Sequence, residues 1–403
     1  MSKVIKNINF LDLTGASAES LEGVTVIKNI NTLLYSKKVT NLLSKFGLKN
    51  VNNSIEVPEN TKLIKGDFEL NESFGKSLNE AIHLAVKGTL LVKPNVTVDT
   101  IEKLSGITLF GDLLCPERLV GLLHQKIENH LGDVMTFMDD ADVILNDTEY
   151  NDHYLKSLKT GTNIVVNGTA SFPDNIDASL LNEKIGKFEF LDEAIIREEL
   201  MDVIGEKIQH PEKCKMTIIP KGSVYIGEDL HLDSSSIKRF QSDRLYVSGT
   251  IHLESDVTLD ALEQCIEKFH TEDWIICRKE LMQSVLKKCE DPSVSILSYT
   301  GKLLVIDGEH HLTQAQLKYT KENLTMIVRG ILDIADNVDP EELFNKIDGI
   351  HNYGVIDGSE DQCGVIQTKL VTNRGVIGGS SHEEKEEDDK EENVIANMNY
   401  LQL

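Results

Sequence analysis

Residues 84–92, LAVKGTLLV, set apolar side chains at every second position on both sides of a glycine. The same wording returns at 107–115 as ITLFGDLLC and, with aspartates, at 135–145 as MTFMDDADVIL. Period-2 alternation predicts a strand with one face buried. A glycine in mid-strand marks a bend or a close backbone approach. After most of these strands the spacing lengthens to that of a helix. TVDTIEKL at 97–104 puts Val98, Ile101 and Leu104 on one face, with Thr97 as the cap. LDALEQCIEKF at 259–269 does the same with Leu259, Leu262, Cys265, Ile266 and Phe269. In VDPEELFNKI, 338–347, Asp339 is placed as N-cap and Pro340 at the first helical position, where a missing N–H costs nothing. EELMDVIGEKI at 198–208 and KELMQSVLKKC at 279–289 predict longer helices. The unit is strand, turn, short helix and strand again, in about 23–29 residues.

These units sit inside a longer period. Gly88, Gly168, Gly249 and Gly330 open near-identical stretches (VKGTLLV, VNGTASF, VSGTIHL and VRGILDI) at intervals of 80, 81 and 81. Val39, Leu119, Leu200, Leu281 and Gln362 form a second column in the same step. A third begins at 63, 143, 224 and 303. Each period contains about three of the smaller units. One such unit cannot bury its apolar face, whereas stacked copies share a core. Strands joined by a helix on one side pair in parallel, and roughly thirteen or fourteen of them are expected.

The pattern, best seen in ITLFGDLLCPERLVGLL at 107–123, resembles the leucine-rich-repeat class. That resemblance implies an α/β repeat solenoid, a parallel-sheet arc, over most of residues 4–347. The family's usual asparagine after the strand is largely replaced by Gly88, Gly111, Asp139, Gly168 and Gly249, which departs from its regular ladder. The alternative is a β-helix-like solenoid with helical inserts. The stretch 353–377 supports it locally, with GVI triplets at 354, 364 and 375 and no helical pattern between them. The expected organisation is one array over 1–377, with an N-terminal cap over about 1–22 and a β-rich C-terminal cap over about 348–377. Residues 378–403 are expected to be a flexible acidic tail ending in an apolar peptide: Val394, Ile395, Met398, Tyr400, Leu401 and Leu403. Such a peptide can add as a strand to an exposed edge, of this chain or another.

Composition narrows the function. Net charge is −25, and the run at 382–393 holds eight acids against two lysines, so the remainder is strongly acidic too. That argues against nucleic acid and anionic membranes, and permits a basic protein partner. Apolar residues make 40% of the chain but aromatics only 5%, so branched aliphatics carry the interior. The start, MSKVIKNINFLDLTG, lacks an uninterrupted apolar core, and no apolar run is long enough to span a bilayer. The six cysteines form no CxxC pair and read as buried structural thiols, even though Cys265, Cys277 and Cys289 are evenly spaced. The expected location is cytoplasmic.

No phosphate-binding glycine loop, nucleophile elbow or HExxH pattern occurs. Asp307 to His311, DGEHH, is the one histidine cluster, and its repeat position reads as a solvated turn. Trp274 reads as core. No catalytic, cofactor or metal residue is assigned, and no long insertion interrupts the repeat to build a site. The expected function is therefore a non-enzymatic protein-interaction scaffold or adaptor. A structural protein that self-assembles through its ends or tail is the alternative, and an enzyme the less favoured reading.

Overall fold

The computed structural model describes residues 3–379 and 394–403. The acidic run at 382–393 lies outside them. The arrangement is repeat-like α/β: short strands in many small sheets, paired in parallel, with short helices between them. The chain divides into two compact units, residues 1–218 with the C-terminal strand, and residues from 219 through the last strand before the acidic run.

The 80-residue period is visible as a block that folds on its own core. In the first unit, block one runs its strands alternately into two sheets. Thr61–Lys65, Ile82–Lys87, Leu104–Phe110 and Ile127–Leu131 make one, and Phe68–Leu70, Leu90–Val92, Leu113–Pro116 and Val134–Phe137 the other. Helices Glu72–Ser77, Val98–Glu102 and Val120–Lys126 follow the strand pairs. Leu84, Val86, Leu90, Ile101, Leu109 and Leu123 fill the interior. Block two repeats this over 142–219, around Tyr150, Phe188, Phe190 and Leu181. The second unit holds blocks three (223–299) and four (302–379), with cores around Phe269 and Leu262, and around Met326 and Leu343.

Two expectations change here. Most rungs supply two strands, one to each sheet, with a corner between them, often at a glycine, where a single strand was expected; block three's first sheet has three strands. A block accordingly holds four rungs rather than about three, and the strand count is far above thirteen or fourteen. The corner is crowded: at Gly88 (φ +145°) a Cβ would lie 2.5 Å from the carbonyl carbon of Gly66 on the neighbouring rung. The C-terminal cap is also not purely β. Glu360–Lys369 is a helix, and the GVI at 364–366 lies in it. Ser359 and Gln362 form a reciprocal capping box there, with two acids in the first turn. Gln362 also explains its polar place in an apolar column. It is buried, and its Nε2 donates to the carbonyls of Ala335 (3.0 Å) and Val338 (2.9 Å).

Within each unit, blocks meet face to face. Leu91, Leu114 and Phe137 of block one's second sheet pack on Val165 and Leu191 of block two. In the second unit, Ile276, Leu297 and Tyr299 of block three pack on Ile327 of block four, with Trp274 and Tyr353 at the margin. The N-terminal sheet, ordered 47–57, 24–36, 3–13 and 394–402, likewise meets block one through Phe10, Leu34, Ile55, Leu63 and Phe110.

Candidate functional site

Three places carry groups that the fold itself does not consume. The first is the outer face of block four's second sheet. Leu332, Ile334 and Ile356 point to the core. Their alternates Ile331, Val355 and Val376 lie in cross-strand register on the other side, and are 41%, 40% and 62% exposed. Asp333 and Asp357 flank them on the same face, and His311 Nδ1 lies 2.6 Å from Asp333 Oδ2. In blocks one and three the corresponding face is the one covered by the next block.

The second is the N-terminal sheet. Val394–Gln402 pairs in parallel with Val4 to Asp12, as a fourth strand. Tyr400 donates to Asp12 Oδ2 (2.7 Å) and stacks on Phe10, and Lys65 Nζ donates to Gln402 (2.8 Å). Val394, Ile395, Tyr400, Leu401 and Leu403 are half-buried, and Met398 is exposed. Two asparagine ladders run across all four strands. Asn50 donates to Asn29, Asn29 to Asn7, and Asn7 to Asn397, at 3.0, 2.9 and 2.9 Å. Asn52 donates to Asn31, Asn31 to Asn9, and Asn9 to Asn399, at 3.1, 2.9 and 2.7 Å. Asn7, Asn29, Asn50 and Asn397 all take the left-handed conformation, which asparagine tolerates better than most residues. The signal was present as KNIN, KNIN, KNVN and ANMN at 6, 28, 49 and 396.

The third is a cleft of about 800 Å³ between block three's second sheet and block four's first. His231 and His252 are paired across neighbouring strands. Glu254 Oε1 lies 3.3 Å from His231 Nδ1 and 3.6 Å from His252 Nδ1. Burial holds the His252 imidazole below its ordinary pKa against the opposing pull of Glu254, and its Nε2 is buried without a hydrogen-bond partner. Tyr299, Lys302 and Arg329 also line the cleft. The Tyr299 hydroxyl, pushed up to about 12 by burial, donates to the Leu253 carbonyl (3.1 Å). Sequence reading passed over this trio, although LHL at 230–232 and IHL at 251–253 carried the signal in successive rungs.

The other candidates resolve differently. The four period-marking glycines occupy rung corners. Gly88 and Gly168 have positive φ, whereas Gly249 and Gly330 are held by close approach to Asp229 and to Asp307–Gly308. Within 307–311 only the first two residues turn the corner, and Glu309–Leu312 is a strand rather than a solvated turn. Its histidines do not converge: His311 bonds Asp333, while His310 Nε2 is buried and unpaired. Trp274 is half-buried and meets the Tyr353 ring at a tilt, 4.4 Å between centroids, with Arg329 over its ring. All six cysteines are free. Cys115, Cys277 and Cys363 are buried and the other three half-buried. Burial pushes the thiols of Cys115 and Cys277 up to about 12, which suits packing and not nucleophilic attack. Glu117, Glu189 and His210 also cluster, but Lys213 already neutralises the buried Glu189 at 2.6 Å. Among the described residues no helix is long and apolar enough to cross a membrane.

Comparison with protein-family models, with curated proteins and with solved structures finds no match.

Proposed function

We propose that this chain is a non-enzymatic protein-interaction scaffold, built as a β-helix-like solenoid with helical inserts, and that its docking face is the second sheet of block four. The observation that carries this reading is the register of Ile331, Val355 and Val376 on a face that blocks one and three bury. Three adjacent exposed aliphatics on one sheet face gain by removal from water, at about 25 cal/mol per Å² of apolar surface. The partner inferred is a protein that offers an apolar sheet face with basic residues at its rim, matched to Asp333, Asp357 and the chain's acidic balance.

A second reading, self-assembly, is favoured by the asparagine ladders. Asn397 and Asn399 have no acceptor for their amide N–H groups among the described residues, and Asn50 and Asn52 have no donor for their carbonyls. The two sheet edges are thus complementary, and copies joined edge to edge would extend head to tail.

The test is quantitative affinity purification of wild-type chain and of Val355→Asp/Val376→Glu from the native cell, alongside light scattering of both pure proteins. A stoichiometric companion lost from the double variant, with its circular dichroism unchanged, is expected. An unchanged set of companions, or none, overturns the scaffold reading. Concentration-dependent polymers that persist in the double variant would assign function to the edges instead.

A further inference from the structure

The His231–His252–Glu254 trio is not explained by packing or by binding at the outer sheet face. We propose that it is a divalent metal site, with zinc as the ion its donors suit, held on two adjacent rungs of block three.

The donor chemistry comes first. Two imidazoles and one carboxylate form a mixed nitrogen and oxygen set typical of zinc. With metal–ligand bonds of about 2.0–2.2 Å, tetrahedral geometry requires ligand atoms about 3.3–3.6 Å apart. The two Nδ1 atoms stand 3.3 and 3.6 Å from the same carboxylate oxygen. All three donors lie within 4.8 Å of one another, so one ion reaches them with little rearrangement.

The scaffold comes next. His231 and His252 hold the same register on parallel strands, and Glu254 follows His252 by two residues. The spacing is fixed by backbone ladders, which keeps the donors together in the metal-free chain. His231 and Glu254 are 63% and 42% exposed while His252 is 14% exposed. One deep and two shallow ligands leave the ion's remaining position open to the cleft.

Charge supports the same assignment. Glu254 has only these two histidines as ion-pair partners among the described residues. The Glu117–Glu189–His210 cluster differs on this point, since Lys213 supplies its cation. Lys302 and Arg329 line the same cleft, but neither forms an ion pair with Glu254, and Arg329 is paired with Asp307, so a dication at the trio would supply Glu254's missing counter-charge.

The experiment uses the full-length chain, stripped with chelator and titrated with zinc by calorimetry at neutral pH, and with cobalt by visible absorption. The expected result is one saturable site per chain and cobalt d–d bands of low coordination number. His231→Ala, at an exposed position, is expected to weaken zinc by more than the about 10–100-fold typical of losing an outer hydrogen-bond partner of a metal ligand. His252→Gln should do the same, and His311→Ala, at the corresponding place in block four, should leave binding unchanged. Absence of saturable binding, or equal affinity in wild type and His231→Ala, overturns the site. Because Val355 and Val376 lie outside the cleft, the Val355→Asp/Val376→Glu variant should bind zinc normally, so the two proposals fail separately.

Discussion

At the scale of single residues, the instructive positions are polar groups buried where a repeat would place apolar ones. His83 is fully buried in block one, with Nε2 3.0 Å from Thr108 Oγ1 and Nδ1 without a hydrogen bond. Burial lowers its pKa below the ordinary 6.5, and Glu128, 3.9 Å away, only partly opposes this. The fold therefore favours the neutral ring. Below pH 6.5 the unfolded chain binds this proton first, so stability rises with pH up to about 6.5 and is lost as pH falls through the window below it. One such group contributes at most about 1.4 kcal/mol per pH unit to that slope. His351, also lowered by burial, acts in the same direction in block four. Thermal midpoints measured from pH 7.5 down to 5 should fall for wild type and fall less steeply for His83→Asn. Parallel curves for the two proteins would mean that His83 takes up its proton in the fold as readily as in the unfolded chain.

At the scale of elements, the C-terminal strand is the piece whose role can be isolated. It supplies the fourth rung of both asparagine ladders, the hydroxyl that meets buried Asp12, and a ring against Phe10. Removing 394–403 leaves the edge of Val4 to Asp12 unpaired and Asp12 less satisfied. The truncated chain should melt several degrees lower, and a synthetic peptide of 394–403 added in trans should restore the midpoint. A peptide carrying Asn397→Ala/Asn399→Ala should restore it less, since net losses of about 1 kcal/mol per ladder bond are expected. Failure of the native peptide to bind would mean that the strand contributes only through its tether. The rise and fall of sequence legibility is clearest among such elements. Alternation found the strands, and Asp339 with Pro340 announced a helix that starts where expected, with Asp339 accepting from Glu341 N–H. The corner at Gly88 was hidden because a glycine in an alternating run fits a bulge as well as a turn into a second sheet. The helix at 360–369 was hidden because its residues carry almost no amphipathic pattern; only the Ser359–Gln362 capping box marked it. The ladders and the His231–His252 pair escaped because each rung shows a single residue, and only the register between rungs brings them together.

At the scale of the whole molecule, the governing fact is that each 80-residue block carries its own core. Leu70 to Leu123, Tyr150 to Ile204, Leu232 to Val285 and Ile306 to Ile366 close four separate interiors. Blocks one and two, and blocks three and four, touch through smaller apolar patches of five and four buried residues, so the coupling within each unit is weaker than the cohesion of a block. Stability in such an arrangement is a sum of block terms and neighbour terms, and cooperativity breaks down when the neighbour terms are small. Calorimetric unfolding should accordingly give a measured enthalpy larger than the van't Hoff enthalpy. Leu114→Asp, placed on the patch between blocks one and two, should widen that gap by separating their transitions. Equal enthalpies in wild type and variant would show that the blocks unfold as one, and would require the patches between them to contribute as much as the cores. The same arithmetic bears on the outer face of block four: a face whose counterparts add only modest coupling inside the chain suits a partner that binds and leaves.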